Sequence, residues 1–173
     1  ADVSDRAQVA RLVEQTQVAC GPVDLLVNNA GVNIPRRKLA ELDAADWDQL
    51  LSVNVTGAFN LIQLVLPSMR ARRDGLIVNI ASMAGRIIIP NVSAYNASKA
   101  ACAHLTRSLA REWARYGINV NGLSPGYVET ELTSDWLNGE GGQKYLQKFP
   151  RRRVMDEQSL DEEYGLYFKM ARI

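Results

Sequence analysis

Apolar and polar positions along this chain fall into two rhythms that alternate. Val9, Leu12, Val13 and Thr16 stand at i, i+3, i+4 and i+7, the stripe of an amphipathic helix. Asp2-Val3-Ser4-Asp5 reads as a strand end followed by a cap, with Ser4 or Asp5 as the N-cap. The helix is predicted to run to about Val18 and to stop at Gly21-Pro22. Asp24 to Asn28 is then a short apolar run without alternation, as strands of parallel sheets tend to be. Val32 to Leu42, with Pro35, reads as a loop, and Asp43 can cap a helix starting at Ala44. That helix carries Trp47, Leu50 and Leu51 and continues through Asn54 and Phe59 to Met69. Gly57 within it marks close packing or a kink, because glycine lowers helix stability.

The same alternation continues downstream. Gly75 introduces a strand over Leu76–Ala81, and a loop from Ser82 through Pro90 carries Gly85 and the apolar Ile87-Ile88-Ile89. Those isoleucines either cover part of a substrate crevice or simply pack. A long helix spans Ala94–Tyr116, Gly117 ends it, and Ile118–Leu123 forms a strand closing on Ser124-Pro125-Gly126. Strands alternating with helices give βαβ units and a parallel sheet. Beyond Thr130 the pattern loosens. With Gly139-Glu140-Gly141-Gly142 as a flexible link, Glu131 to Phe149 is either a mobile lid or an ordinary pair of surface helices.

Composition narrows the class. The 173 residues suffice for one domain with a real core. Hydrophobic residues at 47% and charged residues at 23% are ordinary for a soluble globular chain. A formal net charge of +1 gives no pull towards nucleic acid or anionic membrane. No apolar run approaches the roughly 18 residues that span a bilayer, and no signal-peptide pattern opens the chain. The start at Ala1 rather than Met is expected of a processed, cut or partial chain. Cys20 and Cys102 are too few for a disulfide framework; both are expected to be small buried residues, in a reducing cytoplasm. Arg36-Arg37-Lys38 reads as solvated surface, and Arg151-Arg152-Arg153 as the same or as a holder of an anionic group. The single histidine, His104, is expected to pack rather than act, so a Ser-His-Asp hydrolase has little support. There is no internal repeat, metal-ligand cluster or nucleic-acid motif.

The candidate chemistry centres on Tyr95-Asn96-Ala97-Ser98-Lys99. Residues four apart share a helix face, so Lys99 places an ammonium beside the Tyr95 phenol. A nearby positive charge favours the phenolate and is expected to lower the phenol's pKa from about 10 towards the working range. Two polar strand ends accompany the pair: Ile77-Val78-Asn79-Ile80-Ala81-Ser82, and Leu25-Leu26-Val27-Asn28-Asn29-Ala30-Gly31. In open parallel sheets ligands collect outside the carboxyl ends of the strands.

In the order and spacing of Asn28-Asn29-Ala30-Gly31, Asn54, Ser82, Tyr95/Lys99 and Pro125-Gly126 with Thr130, the chain resembles the short-chain dehydrogenases/reductases of the classical type. The likeness covers roughly Ala1 to Leu160. It implies an α/β fold, a Rossmann-like doubly wound parallel sheet in three layers, incomplete at the N-terminus because the family's glycine-rich turn would precede Ala1. Residues 1–160 would form that partial domain and 161–173 an atypical C-terminal tail.

The resemblance further implies an NAD(P)-dependent oxidoreductase that interconverts a secondary alcohol and a ketone, with Asn54, Ser82, Tyr95 and Lys99 as catalytic residues. Tyr95 would be the general acid/base, and Ser82 would hold the substrate oxygen. Lys99 would contact the nicotinamide ribose. Asn54 would carry a water relay, or bond to backbone at a helix kink, or both. Cofactor contacts would come from Asp2, Val3, Asn28, Ala30, Gly31, Tyr95, Lys99, Pro125, Gly126, Val128 and Thr130. NAD or NADP would serve, since the discriminating position lies outside the chain. Family habit implies a homodimer or tetramer through Ala44–Arg70 and Ala94–Tyr116, the latter with Ala97, Ala101, Leu105 and Leu109 in one stripe. The alternative is a truncated, catalytically silent fragment acting only as an assembly or binding module.

Overall fold

A computed structural model describes residues 1–35, 38–128, 133–148, 152 and 154. The chain divides into two compact units, Ala1–Ser124 and Pro125–Ile173. The boundary at 160/161 and the tail beyond it lie outside the described residues, as do Arg36, Arg37, Thr130, Arg151 and Arg153.

The first unit opens with helix α1, Arg6–Cys20, whose N-cap is Asp5: its carboxylate accepts from the amides of Ala7 and Gln8. Gly21, at φ 84°, ends it. Strand β1, Leu25–Asn28, follows. A continuous helical stretch comes next, built from α2 (Ala44–Leu51), a π segment (Ser52–Gly57) and α3 (Ala58–Arg72). Asp43 caps its start by accepting from Asp46 N at 2.8 Å. Strand β2 (Gly75–Ile80), helix α4 (Ser93–Trp113) and strand β3 (Ile118–Leu123) complete the unit.

The strands pair in parallel in the order β1-β2-β3, with Leu26 beside Ile77 and Ile77 beside Val120. Those three residues and Ile118 share one sheet face, and α1, α3 and α4 bury Val13, Ile62, Val65, Met69 and Trp113 against it. The result is the expected Rossmann-like α/β architecture, with the strand ends that carry Asn28, Ile80 and Leu123 on one edge of the sheet.

Several sequence expectations change here. β1 is not buried on both faces: Leu25 and Val27 are 41% and 40% exposed, because β1 is an edge strand and nothing among the described residues covers that side of it. On α1, Val9 and Val13 are buried but Leu12 and Thr16 face out, so the contact stripe is narrower than the spacing implied. Cys20 is exposed while Cys102 is buried, and His104 lies on the open side of α4 rather than packed. The stretch Ala44–Arg72 is 29 residues long with mean hydropathy 1.5 over its most apolar window, long and apolar enough by that measure to cross a membrane. Its Ile62, Val65 and Met69 instead pack in the sheet core.

In the second unit, α5 (Ser134–Asn138) and α6 (Glu140–Leu146) form a helix pair. Gly139 is the N-cap of α6, so Glu140, Gly141 and Gly142 are helical rather than a flexible link. Gln143 Nε2 donates to Leu137 O at 3.0 Å, and the Tyr127 and Tyr145 rings meet edge to face.

Candidate active site

Tyr95 stands in the first turn of α4 and packs against a small cluster of Ile34, Leu50 and Ala94. The Ser82 side chain lies near enough to its phenol to lower the phenol's pKa. Ser82 follows β2 directly and caps the 3₁₀ turn Met83–Gly85 by accepting from Ala84 N at 3.1 Å. That turn lies flush on α4: a β-carbon on Gly85 would stand 2.6 Å from the Lys99 carbonyl oxygen. Strand end, turn and helix are therefore held together beside Tyr95.

Lys99 is 5% exposed, and its ammonium donates to the carbonyl of Ile80 at 3.0 Å. The Nζ atom is 5.9 Å from the centre of the Tyr95 ring. It also lies 3.2 Å from where a β-carbon on Gly31 would stand, and Asn54 Oδ1 lies 3.4 Å from that same point. A side chain at position 31 would crowd the ammonium there.

The electrostatics differ from the simple pairing argument. Burial pushes the Tyr95 phenol above its ordinary value, and the nearby Ser82 side chain draws it only part of the way back. Lys99 does not dominate the phenol's titration, because its own ammonium is desolvated and already bonded to Ile80. Burial pulls Lys99 below the usual lysine value, with Cys102 opposing, and pushes the Cys102 thiol up. A phenol so placed holds its proton at neutral pH, which suits it to donate.

Asn54 lies in the π segment, where such widened turns often coincide with functional sites. Its side chain is fully engaged with protein. Oδ1 accepts from Val32 N at 2.8 Å, and Nδ2 donates to Val32 O and to Ser98 Oγ, both at 3.0 Å. The backbone-bonding, helix-kink role expected as one option is thus present. The same segment receives Val3, whose carbonyl accepts from Asn60 Nδ2 at 3.1 Å and whose side chain packs on Gly57. Asp2 is exposed; its carboxylate is held below the usual range by the Ser4 hydroxyl and amide.

Asn28 is buried in a polar ladder that sequence reasoning did not foresee. Its Nδ2 donates to Asn79 Oδ1 at 2.7 Å, and Asn79 Nδ2 donates to Thr106 Oγ1 at 2.9 Å. The signal was an asparagine in the middle of an apolar strand. Ala30 and Gly31 are exposed beyond β1. Pro125, Gly126 and Val128 belong to the second unit, where Val128 is buried and its carbonyl accepts from Thr133 Oγ1 at 2.5 Å. The structure therefore gathers Asn54, Ser82, Tyr95, Lys99 and Gly31 in one neighbourhood. A surface groove of about 750 Å³ lined by Gln63, Leu66, Pro67, Arg70, Arg73 and Tyr116 contains none of them.

Fold and site together define an α/β protein of Rossmann type with a tyrosine and a buried lysine at the strand ends. The family model for short chain dehydrogenases matches residues 1–141, and the chain belongs to that family. It is 39% identical over 145 residues to gluconate 5-dehydrogenase of Gluconobacter oxydans, covering 79% of this chain and 56% of that relative. A crystal structure of gluconate 5-dehydrogenase from Burkholderia cenocepacia, in complex with NADP and tartrate, superimposes with a TM-score of 0.85 at 38% identity, covering 90% of this chain and 61% of that one. NAD⁺-bound xylitol dehydrogenase superimposes with a TM-score of 0.82 at 32% identity, covering 90% and 66%. The chain spans little more than half the length of the curated relatives it matches. All three are named dehydrogenases, which lends the silent-fragment alternative no support.

Proposed function

We propose that the protein is an NAD(P)-dependent oxidoreductase interconverting a secondary alcohol and a ketone, with Tyr95 as general acid/base. The observation that carries the reading is the buried Lys99 ammonium, with donors to spare, 5.9 Å from the centre of the Tyr95 ring at the Gly31 opening. An ammonium has three donors, and among the described residues Lys99 directs one, to Ile80 O. The remaining donors border the Gly31 opening, a place suited to ribose hydroxyls. The residues fit a nicotinamide dinucleotide in that respect. When bound, the nicotinamide supplies or accepts the hydride.

The chain's own residues handle the oxygen. Ser82 donates a hydrogen bond to it, and Tyr95 gives its proton to the developing alkoxide on reduction or takes one from the alcohol on oxidation. The raised phenol favours reduction at neutral pH, with oxidation gaining as pH rises. Asp2, Val3, Asn28, Ala30, Pro125, Gly126, Val128 and Thr130 are the further cofactor contacts proposed from family likeness. Asn54 serves by holding the loop after β1.

A cytoplasmic location is proposed on the two free cysteines. Homo-oligomerisation through α3 and α4 is proposed on the exposure of Phe59, Ala97 and Ala101, and light scattering that finds only monomer would remove it. The functional test is a fluorescence titration with NADH and NADPH, followed by turnover on a panel of ketones. Tyr95→Phe is expected to cut turnover by roughly 10²–10⁴-fold, with a much smaller effect on nucleotide binding. Unchanged turnover in Tyr95→Phe would refute the assignment.

A further inference from the structure

We infer that Ser98 is a positioning residue that holds the Lys99 ammonium at the Gly31 opening by clamping Asn54; this rests on the oxidoreductase reading above. Ser98 is completely buried. Its hydroxyl donates to the Tyr95 carbonyl at 2.9 Å and accepts from Asn54 Nδ2 at 3.0 Å. One small side chain thus ties the helix turn bearing Tyr95 and Lys99 to the π segment. Through Asn54, which grips both backbone groups of Val32, it also ties that turn to the loop after β1.

The consequence follows from what surrounds Gly31. Lys99 Nζ and Asn54 Oδ1 face the same point, 3.2 and 3.4 Å from the place of its missing β-carbon. Asn54 Oδ1 is held most firmly on the Val32 amide while both Nδ2 protons have acceptors. One of those acceptors is Ser98 Oγ. Without it, the amide keeps its two bonds to Val32 but carries an unpaired buried donor, which loosens its hold. Its oxygen then becomes an acceptor for the neighbouring ammonium, which draws Lys99 away from Ile80 and from the open side of Gly31. A serine in this position thus keeps the lysine's spare donors available.

The experiment compares Ser98→Ala with Ser98→Thr in the full chain. Alanine removes the hydroxyl without adding bulk; threonine keeps a hydroxyl able to bond a carbonyl one turn back, as Thr106 does to Cys102 at 2.8 Å. In Ser98→Ala the Val32 amide is expected to exchange hydrogen about tenfold faster, a local opening that leaves the strand amides unchanged. NADPH binding weakens several-fold, and kcat falls by about tenfold with the ketone KM held within about twofold, the pattern of a misplaced catalytic group. Ser98→Thr restores all three. Val32 exchange and NADPH affinity unchanged in Ser98→Ala, or a threonine variant as impaired as alanine, would overturn the inference. The exchange readout needs no turnover. If Tyr95→Phe abolishes reduction while Ser98→Ala is silent, the positioning role fails alone; if Tyr95→Phe is silent too, the oxidoreductase reading fails with it.

Discussion

Replacing Asn79 by valine probes the polar ladder under the site, and its cost can be worked out from the partners. Asn79 is wholly buried, accepts from Asn28 at 2.7 Å and donates to Thr106 at 2.9 Å. Thr106 keeps its own bond to the Cys102 carbonyl in the variant, so it loses little. Asn28 loses most: among the described residues its Oδ1 is already buried without a partner, and its Nδ2 would lose the only acceptor it has. An orphaned buried donor costs about 1–3 kcal/mol. Valine's fit to a buried strand recovers a fraction of that, leaving a loss of about 2 kcal/mol and a Tm about 4–8 °C lower for a chain of this size. Asn28→Val alone orphans Asn79 Oδ1 and costs a similar amount.

The double variant removes donor and acceptor together, which can be nearly neutral. A urea-denaturation cycle on the four proteins, without cofactor, should give a coupling of about 3–4 kcal/mol, with the double variant more stable than either single. If the two losses simply add to within about 0.5 kcal/mol, the ladder is not what supports these positions.

Two further outcomes are expected. Gly85→Ala should destabilise by about 1–3 kcal/mol in thermal melts, because the new methyl meets the Lys99 backbone oxygen at 2.6 Å, and backbone yields less readily than a side-chain tip; a melting temperature within a degree of the parent would contradict the close seating of the turn. Burial lowers the Lys99 pKa, so between its folded value and the free-lysine value of about 10.4 the unfolded chain binds more protons and stability rises with pH. Below that window the penalty of the buried ammonium is fully present. The raised Cys102 thiol acts in the opposite sense from about pH 8.5, so the stability of the parent relative to Lys99→Met, followed from neutrality to about pH 9.5, should rise with pH; parallel curves would refute the burial argument.

Much of the fold was legible because it depends on local pattern. The apolar runs at Leu25, Leu76 and Ile118 became strands, and the caps at Asp5 and Asp43 form the bonds their side chains permit. What failed depended on neighbours. Leu25 and Val27 read as doubly buried, yet nothing among the described residues covers their outer side. Spacing put Lys99 near Tyr95 correctly, but it could not weigh attraction against desolvation, and desolvation dominates. Asn54 and Gly57 were singled out separately, whereas the widened turn joining them has no signature in Ser52-Val53-Asn54-Val55-Thr56-Gly57. Ser98 was passed over because a serine before a lysine means little until its partner across the fold is known.

That widened turn also acts as a phase adjuster. On an unbroken α-helix, Leu50 and Ile62 would point about 120° apart, since each residue advances the helix by about 100°. A π turn absorbs roughly one extra residue and takes back about 100°. Leu50 and Ile62 are thereby brought almost into line, and a single rod can feed two separate apolar clusters, one behind Tyr95 and one beneath the sheet. Deleting any one residue between Ser52 and Gly57 would restore ordinary winding and swing one half of the rod out of register with its cluster. The length of that segment, to the single residue, is therefore as constrained as the identity of Asn54 within it.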